Sequence, residues 1–361
     1  PCALGVSQDG VYFDAGQALR LRAWLRGEAA PGQAVEAAAK LTADGRVLAE
    51  GSLGNMEEKW ERHELRLVST AASKDATLTI ELRGTGTMWI DRVSLMPEDA
   101  APGGWRPDVV KALKELHPAI IRLGGSATEE YEWESGAGDV DHRVPFTTCW
   151  GGLEPNRVGL EEFVALCRLV DAEPLICARW TGKTPGDAAN QVEYANGRME
   201  SFFGAKRAAG GHPEPYRVKY WQIGNEVGGS KYEETVAAFA GAMRKADPSI
   251  RVLSSFPSAR ILESAAPLID YISPHHYACA DLQGTEDDVA RLRDMIRRLG
   301  GGRPIRLAVT EWNTTAGDWG PGRVALLPLD NALKCARYHH LMHRHSDLIE
   351  IAIRSNLTNS F

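Results

Sequence analysis

Two acidic residues are set apart by their surroundings. Glu226 closes YWQIGNEVGG, an apolar run that ends on Asn225–Glu226 and then turns away on glycines. Glu311 sits in RLAVTEWN, a second apolar run with a polar and aromatic end. Two carboxylates brought face to face suit glycoside hydrolysis, in which one, protonated, helps the leaving oxygen depart and the other, ionised, attacks the anomeric carbon. A gap of about 5–5.5 Å gives double displacement with retention, and a gap of roughly 6.5–9.5 Å admits a water and inverts. The pair lies 85 positions apart (311 − 226), so no local helix or hairpin joins it.

The flanks suggest roles. Asn225 is placed to bond a sugar hydroxyl beside the anomeric centre. His275 and Tyr277, in YISPHHY, end a strand next to that of Glu311, where a tyrosine hydroxyl can orient a nucleophile. Arg122, inside AIIRLGG, is hard to bury without a carboxylate partner, and Glu311 is the candidate. On these flanks Glu311 reads as the nucleophile and Glu226 as the acid/base. A single glutamate at a strand end is usually a solvated rim residue. Two of them, in the settings GNE and TEWN, weigh toward chemistry.

Something must bring them together. After Pro102 the chain alternates candidate strands with amphipathic helices. The strands are 119–125, 173–180, 218–226, 251–258, 271–277, 306–313 and 349–357. The alternation predicts an α/β fold with a parallel sheet and helical crossovers. LGGSATEE lacks the glycine spacing of a phosphate loop, which argues against an open doubly wound sheet. Ser126, Asn225, Glu226, His275, Tyr277 and Glu311 all fall at C-terminal strand ends, which converge on one mouth in a (β/α)8 TIM barrel. Seven strands are read, so the first is expected to precede residue 1. With that strand counted, Glu226 ends strand four and Glu311 strand seven, on opposite sides of the barrel.

Residues 1–98 differ in texture. ALRLRAWLRG, VEAAAKLTAD, RHELRLVST, ATLTIELRG and TMWIDRVSLMP alternate with period two and are separated by turns, which predicts an antiparallel β-sandwich. It is expected as an insert between barrel strands one and two, with the incomplete barrel over 103–361. Trp24, Trp60 and Trp89 are read as sandwich core in preference to sugar-stacking aromatics.

Composition closes off other classes. The 361 residues carry a formal charge of −7 and no clustered basic face, so no nucleic-acid partner is expected. No apolar run has a membrane span's length of about 18 residues, and no membrane partner is expected. Six cysteines form no C-x-x-C pair. RYHHLMHRHSD places four histidines late on a helix, where imidazoles favour the C-terminal end, and neither a metal nor another cofactor is expected. Compartment and oligomeric state stay open.

IRLGGS, CWGGLEPNRVGLEEFVALCRLVDAEPLI, the AANQVEYANG run, GHPEPYRVKYWQIGNEVGG, ISPHHY and VTEWN together resemble the family 51 α-L-arabinofuranosidases. The sandwich resembles a carbohydrate-binding jelly roll. The family resemblance implies removal of terminal arabinofuranosyl groups from arabinose-containing oligosaccharides or polysaccharides such as arabinoxylan and arabinan. It implies Glu226 as acid/base and Glu311 as nucleophile, with Asn225 on the sugar 2-hydroxyl. It also implies Tyr277 and His275 near the nucleophile, Arg122 on strand two and Trp150 as a wall of the pocket. Ser126 stands where the family usually has asparagine, and Asn356 where it usually has glutamine; both positions touch the sugar. The competing readings are an endo-acting glucanase or xylanase on the same barrel and a non-catalytic carbohydrate-binding protein.

Overall fold

The computed structural model describes residues 4–314 and 326–355. The chain forms two compact units, Pro1–Val110 and Lys111–Phe361.

Seven antiparallel strands build the first unit: β1 (Leu4–Phe13), β2 (Ala18–Ala29), β3 (Val35–Ala43), β4 (Arg46–Asn55), β5 (Glu61–Val68), β6 (Ser73–Gly84) and β7 (Gly86–Pro97). They lie in two sheets, ordered β1-β6-β3-β4 and β5-β2-β7. The period-two pattern does what alternation must in a pleated strand. Leu19, Leu21, Ala23 and Leu25 of β2 enter one core with Ala37, Ala39 and Leu41 of β3 and Leu78 and Ile80 of β6. Two tryptophans depart from the sequence reading. Trp24 lies out of phase with the leucines of β2, and Trp89 pairs across from Arg26, whose guanidinium stacks 4.5 Å from its ring centre. Neither joins the sandwich core. Trp60 is half-exposed.

The second unit alternates. Helix α1 (Pro107–Leu116) leads into β8 (Ile120–Leu123), followed by three short 3-10 turns and a small hairpin, β9 (Phe146–Thr147) and β10 (Leu153–Glu154). Then come α2 (Leu160–Leu169), β11 (Glu173–Ala178), α3 (Pro185–Asn196), α4 (Phe202–Ala209), β12 (Tyr220–Ile223), α5 (Ser230–Ala246), β13 (Arg251–Leu253) and α6 (Ala259–Ala265). The remainder is β14 (Tyr271–Ile272), β15 (His275–His276), α7 (Leu282–Leu299), β16 (Arg306–Trp312), α8 (Leu329–Arg344) and β17 (Ile349–Arg354). Among the described residues no helix is long and apolar enough to cross a membrane.

All barrel strands pair in parallel, in the order β8, β11, β12, β13, β14 with β15, β16, β17. β14 and β15 both pair with β16 and form one interrupted strand position, broken at Ser273–Pro274. The result is a nearly closed parallel barrel of seven strand positions, whose edges β8 and β17 approach each other. Its interior is layered, as barrel interiors are. Leu175, Leu253, Tyr271, Ala308 and Ile351 form an apolar layer, with Ile120 and Tyr220 packed against it. Two residues further along β8, β12 and β16 stand Arg122, Gln222 and Thr310, so the next layer is polar.

Helices α3, α4 and α6 were not read from sequence. α3 has few apolar positions, but its start is well marked: Thr184 and Asp187 form a capping box, and Pro185 takes the first helical position.

Candidate active site

Glu226 and Glu311 reach one site by different routes. Glu311 lies within β16, and the strand pairing sets His275 directly beside it. Glu226 lies beyond β12, which ends at Ile223 rather than continuing to the glutamate. Gly224 takes φ +72°, where an added Cβ would collide with Val227 and crowd Trp180, so glycine is required there. Glu226 itself takes φ +51°, a strained backbone for a residue with a side chain. β12 and β16 are three of the seven strand positions apart, the widest separation that this barrel allows. The two side chains reach across the mouth, so that one oxygen of Glu226, one of Glu311 and a ring nitrogen of His275 lie within 4.8 Å of one another.

The two carboxylates have unlike environments. Glu311 is buried, and its Oε1 accepts from Arg122 Nη1 at 2.8 Å. Its Oε2 accepts from the Tyr277 hydroxyl, which also lies 3.1 Å from Ser355 Oγ. Burial and the neighbouring carboxylate push the Tyr277 phenol up, so it stays a donor. The Glu226 side chain is 40% exposed, and its Oε1 lies 2.9 Å from His275 Nδ1. That hydrogen bond holds Glu226 below the usual carboxylate range, against an opposing push from burial.

Arg122 joins the halves of the site. Besides Glu311, it donates from Nη2 to Asn225 Oδ1 at 2.5 Å and from Nε to Gln222 Oε1 at 2.9 Å. Its side chain lies so close to Gly124 that a Cβ there would stand 2.7 Å from the guanidinium carbon. With Asn225 Oδ1 occupied by arginine, the buried Nδ2 has no hydrogen-bond partner. A donor is thereby presented beside Glu226, and a sugar hydroxyl is a fitting acceptor for it.

The region over residues 112–298, more than half of the chain, matches the model of the α-L-arabinofuranosidase 1 domain. The chain belongs to the family 51 α-L-arabinofuranosidases. It is similar to the intracellular exo-α-(1→5)-L-arabinofuranosidase of Acetivibrio thermocellus, with 32% identity over 246 residues, 58% of this chain and 49% of that relative. Among solved structures it is similar to the arabinose complex of the Thermotoga maritima α-L-arabinofuranosidase, at 28% identity and TM-score 0.66, covering 73% of this chain and 61% of that one. The arabinose-bound MgGH51 α-L-arabinofuranosidase shares the fold over 99% of this chain and 62% of its own, at TM-score 0.78 and 20% identity. The chain spans less than half the length of curated relatives such as the Acetivibrio and Aspergillus fumigatus proteins.

Against this family background the predicted site residues divide. Arg122, Asn225, Tyr277 and Glu311 form one hydrogen-bonded group and Glu226 with His275 another, and the two meet where His275 Nδ1 stands 3.7 Å from Glu311 Oε2. Ser126 opens a 3-10 turn after β8, and Trp150 stands 58% exposed between β9 and β10. Asn356 lies outside the described residues. Among the described residues the helix histidines form no convergent donor set: His339 packs on Trp312, and His345 bonds Glu286. Three members went unread in the sequence. Gln222 and Thr310 are the partners of Arg122 and His275, Thr310 Oγ1 lying 3.0 Å from His275 Nε2. Glu129 binds the backbone of Asn225. Polar residues inside apolar strands were the available signal for the first two.

Proposed function

We propose that this chain is the catalytic part of a retaining glycoside hydrolase that removes terminal non-reducing α-L-arabinofuranosyl groups from arabinose-containing oligosaccharides or polysaccharides. One observation carries the reading: the carboxylate oxygens of Glu226 and Glu311 approach within 4.8 Å across His275. So close an approach of the nearest oxygens supports double displacement, for which the carboxyl groups stand about 5–5.5 Å apart, over the wider, water-filled gap of an inverting site.

Glu311 is the nucleophile. Its charge is balanced by Arg122, and the Tyr277 hydroxyl fixes its orientation, so one oxygen can face the anomeric carbon. Glu226 is the acid/base. Its greater exposure suits a group that must meet both a leaving oxygen and an incoming water. The resting hydrogen bond from His275 favours its ionised form, which the water-activating second step uses. In the first step the leaving-group oxygen takes the place of that contact and receives the Glu226 proton. Asn225 offers its free amide donor to the sugar ring's neighbouring hydroxyl. Ser126 and Trp150 are assigned to the sugar pocket by family resemblance alone.

Nitrophenyl glycosides test this directly. Release of nitrophenol from the α-L-arabinofuranoside, with little from the β-D-xyloside and no cleavage of cellulose or xylan chains, is expected. Internal cleavage of xylan or glucan as the main activity would replace the reading with an endo-acting one.

A further inference from the structure

Glu129 touches neither catalytic carboxylate, yet three strand ends meet on it. It closes the 3-10 turn Ser126–Glu129 that follows β8. Its Oε1 accepts from the backbone N–H of Asn225 at 2.7 Å. Its Oε2 accepts from the N–H groups of Thr181 at 2.8 Å and Trp180 at 3.3 Å. Trp180 and Thr181 follow β11, and Asn225 follows β12. A single charged acceptor therefore ties the rims of β8, β11 and β12 together.

The Asn225 amide is the one that matters for chemistry. It belongs to the peptide that joins Gly224, at φ +72°, to the residue before Glu226, at φ +51°. Backbones of this kind persist only where their surroundings over-determine them. A carboxylate accepting an N–H is among the stronger hydrogen bonds available for that purpose. The fit is close, since a Cβ on Gly224 would stand 3.3 Å from Glu129 Oε1. Neutral replacements lose more than charge. A glutamine has one acceptor oxygen, so its amide NH2 must face an N–H that now has no acceptor.

We propose that Glu129 is a positioning residue for the reaction, holding the peptide ahead of Glu226 so that the acid/base carboxylate is aimed at the leaving-group oxygen. The inference rests on the acid/base role given to Glu226 above. A residue that only braced the barrel rim would affect all substrates alike. A residue that aims the acid affects those whose leaving group needs a proton.

The experiment compares kcat/KM for a phenyl and a dinitrophenyl α-L-arabinofuranoside in wild type, Glu129→Gln, Glu129→Ala and Glu226→Ala, with thermal melting of each. For Glu129→Gln the phenyl substrate should lose about 10-fold to 100-fold, while the dinitrophenyl substrate, whose leaving group departs unprotonated, stays within about 3-fold. Equal losses on both substrates, or none on either, overturn the proposal. Should Glu129→Ala not fold, the nearly isosteric Gln variant decides; a Gln variant that does not fold makes Glu129 a folding element and also overturns it. If Glu226→Ala shows no preference for the better leaving group, the acid/base assignment itself has failed, a result distinct from failure at Glu129.

Discussion

Strand β2 of the sandwich and strand β8 of the barrel both carry arginine, but they aim it in opposite directions. In β2 the leucines enter the core, while Arg20 points the other way, 59% exposed, toward Glu64 and Glu98. In β8 Arg122 follows Ile120 on the same face, into the barrel interior, where its side chain is 6% exposed. Arg20 obeys the pattern that builds a sheet; Arg122 violates it. An exposed ion pair contributes little, because water and salt screen it. A buried arginine demands a carboxylate and fixed geometry, and here that demand assembles Glu311, Asn225 and Gln222 around one guanidinium. A polar residue on the inner face of a strand thus marks where structure gives way to chemistry.

The comparison can be broken in graded steps. Glu311→Ala should have the largest effect, a loss of at least roughly 10,000-fold in kcat, as for other nucleophiles that act within a unit. Steady-state assay with purified, folded variant checks it, and loss below about 100-fold would place the nucleophile elsewhere. Arg122→Met should come next. It leaves the Glu311 carboxylate buried without its cation, at about 3–5 kcal/mol of stability by denaturant melts, and activity should fall at least about 100-fold.

His275→Ala should act on pH dependence. The hydrogen bond from His275 holds Glu226 below the usual carboxylate range. Because the acid is needed protonated, kcat/KM falls as pH rises through the Glu226 titration. Removing the donor raises that titration, so the basic limb of the profile should move to higher pH. A limb that stays fixed or moves down contradicts the link. Arg20→Met should change least, within about 0.5 kcal/mol in melting and with no change in kcat, since its pairs are exposed. A large effect at Arg20 would dissolve the contrast with Arg122.

Where alternation or helical period was strong, the sequence was readable. The central sandwich strands, the barrel strands and the helices with broad apolar faces all follow from it. β1 and β4 were harder: β1 is mostly exposed, and β4 carries glycines that blunt the pattern. Trp24 and Trp89 were misjudged because hydrophobic character was weighed above phase. The catalytic candidates were readable because polar residues ended apolar runs. Their partners were not, since Gln222, Thr310 and Glu129 acquire meaning only from cross-strand register and from turns between distant segments. The same holds for the left-handed backbone at Glu226, which glycine neighbours hint at but do not specify.

The central claim is that Glu226 and Glu311 act by double displacement, and the configuration of the first-formed sugar tests it most directly. Proton NMR of an aryl α-L-arabinofuranoside digest, recorded before mutarotation, should show α-L-arabinofuranose appearing first. First appearance of the β anomer would contradict the account, because it would mean that water, not Glu311, attacks the anomeric carbon.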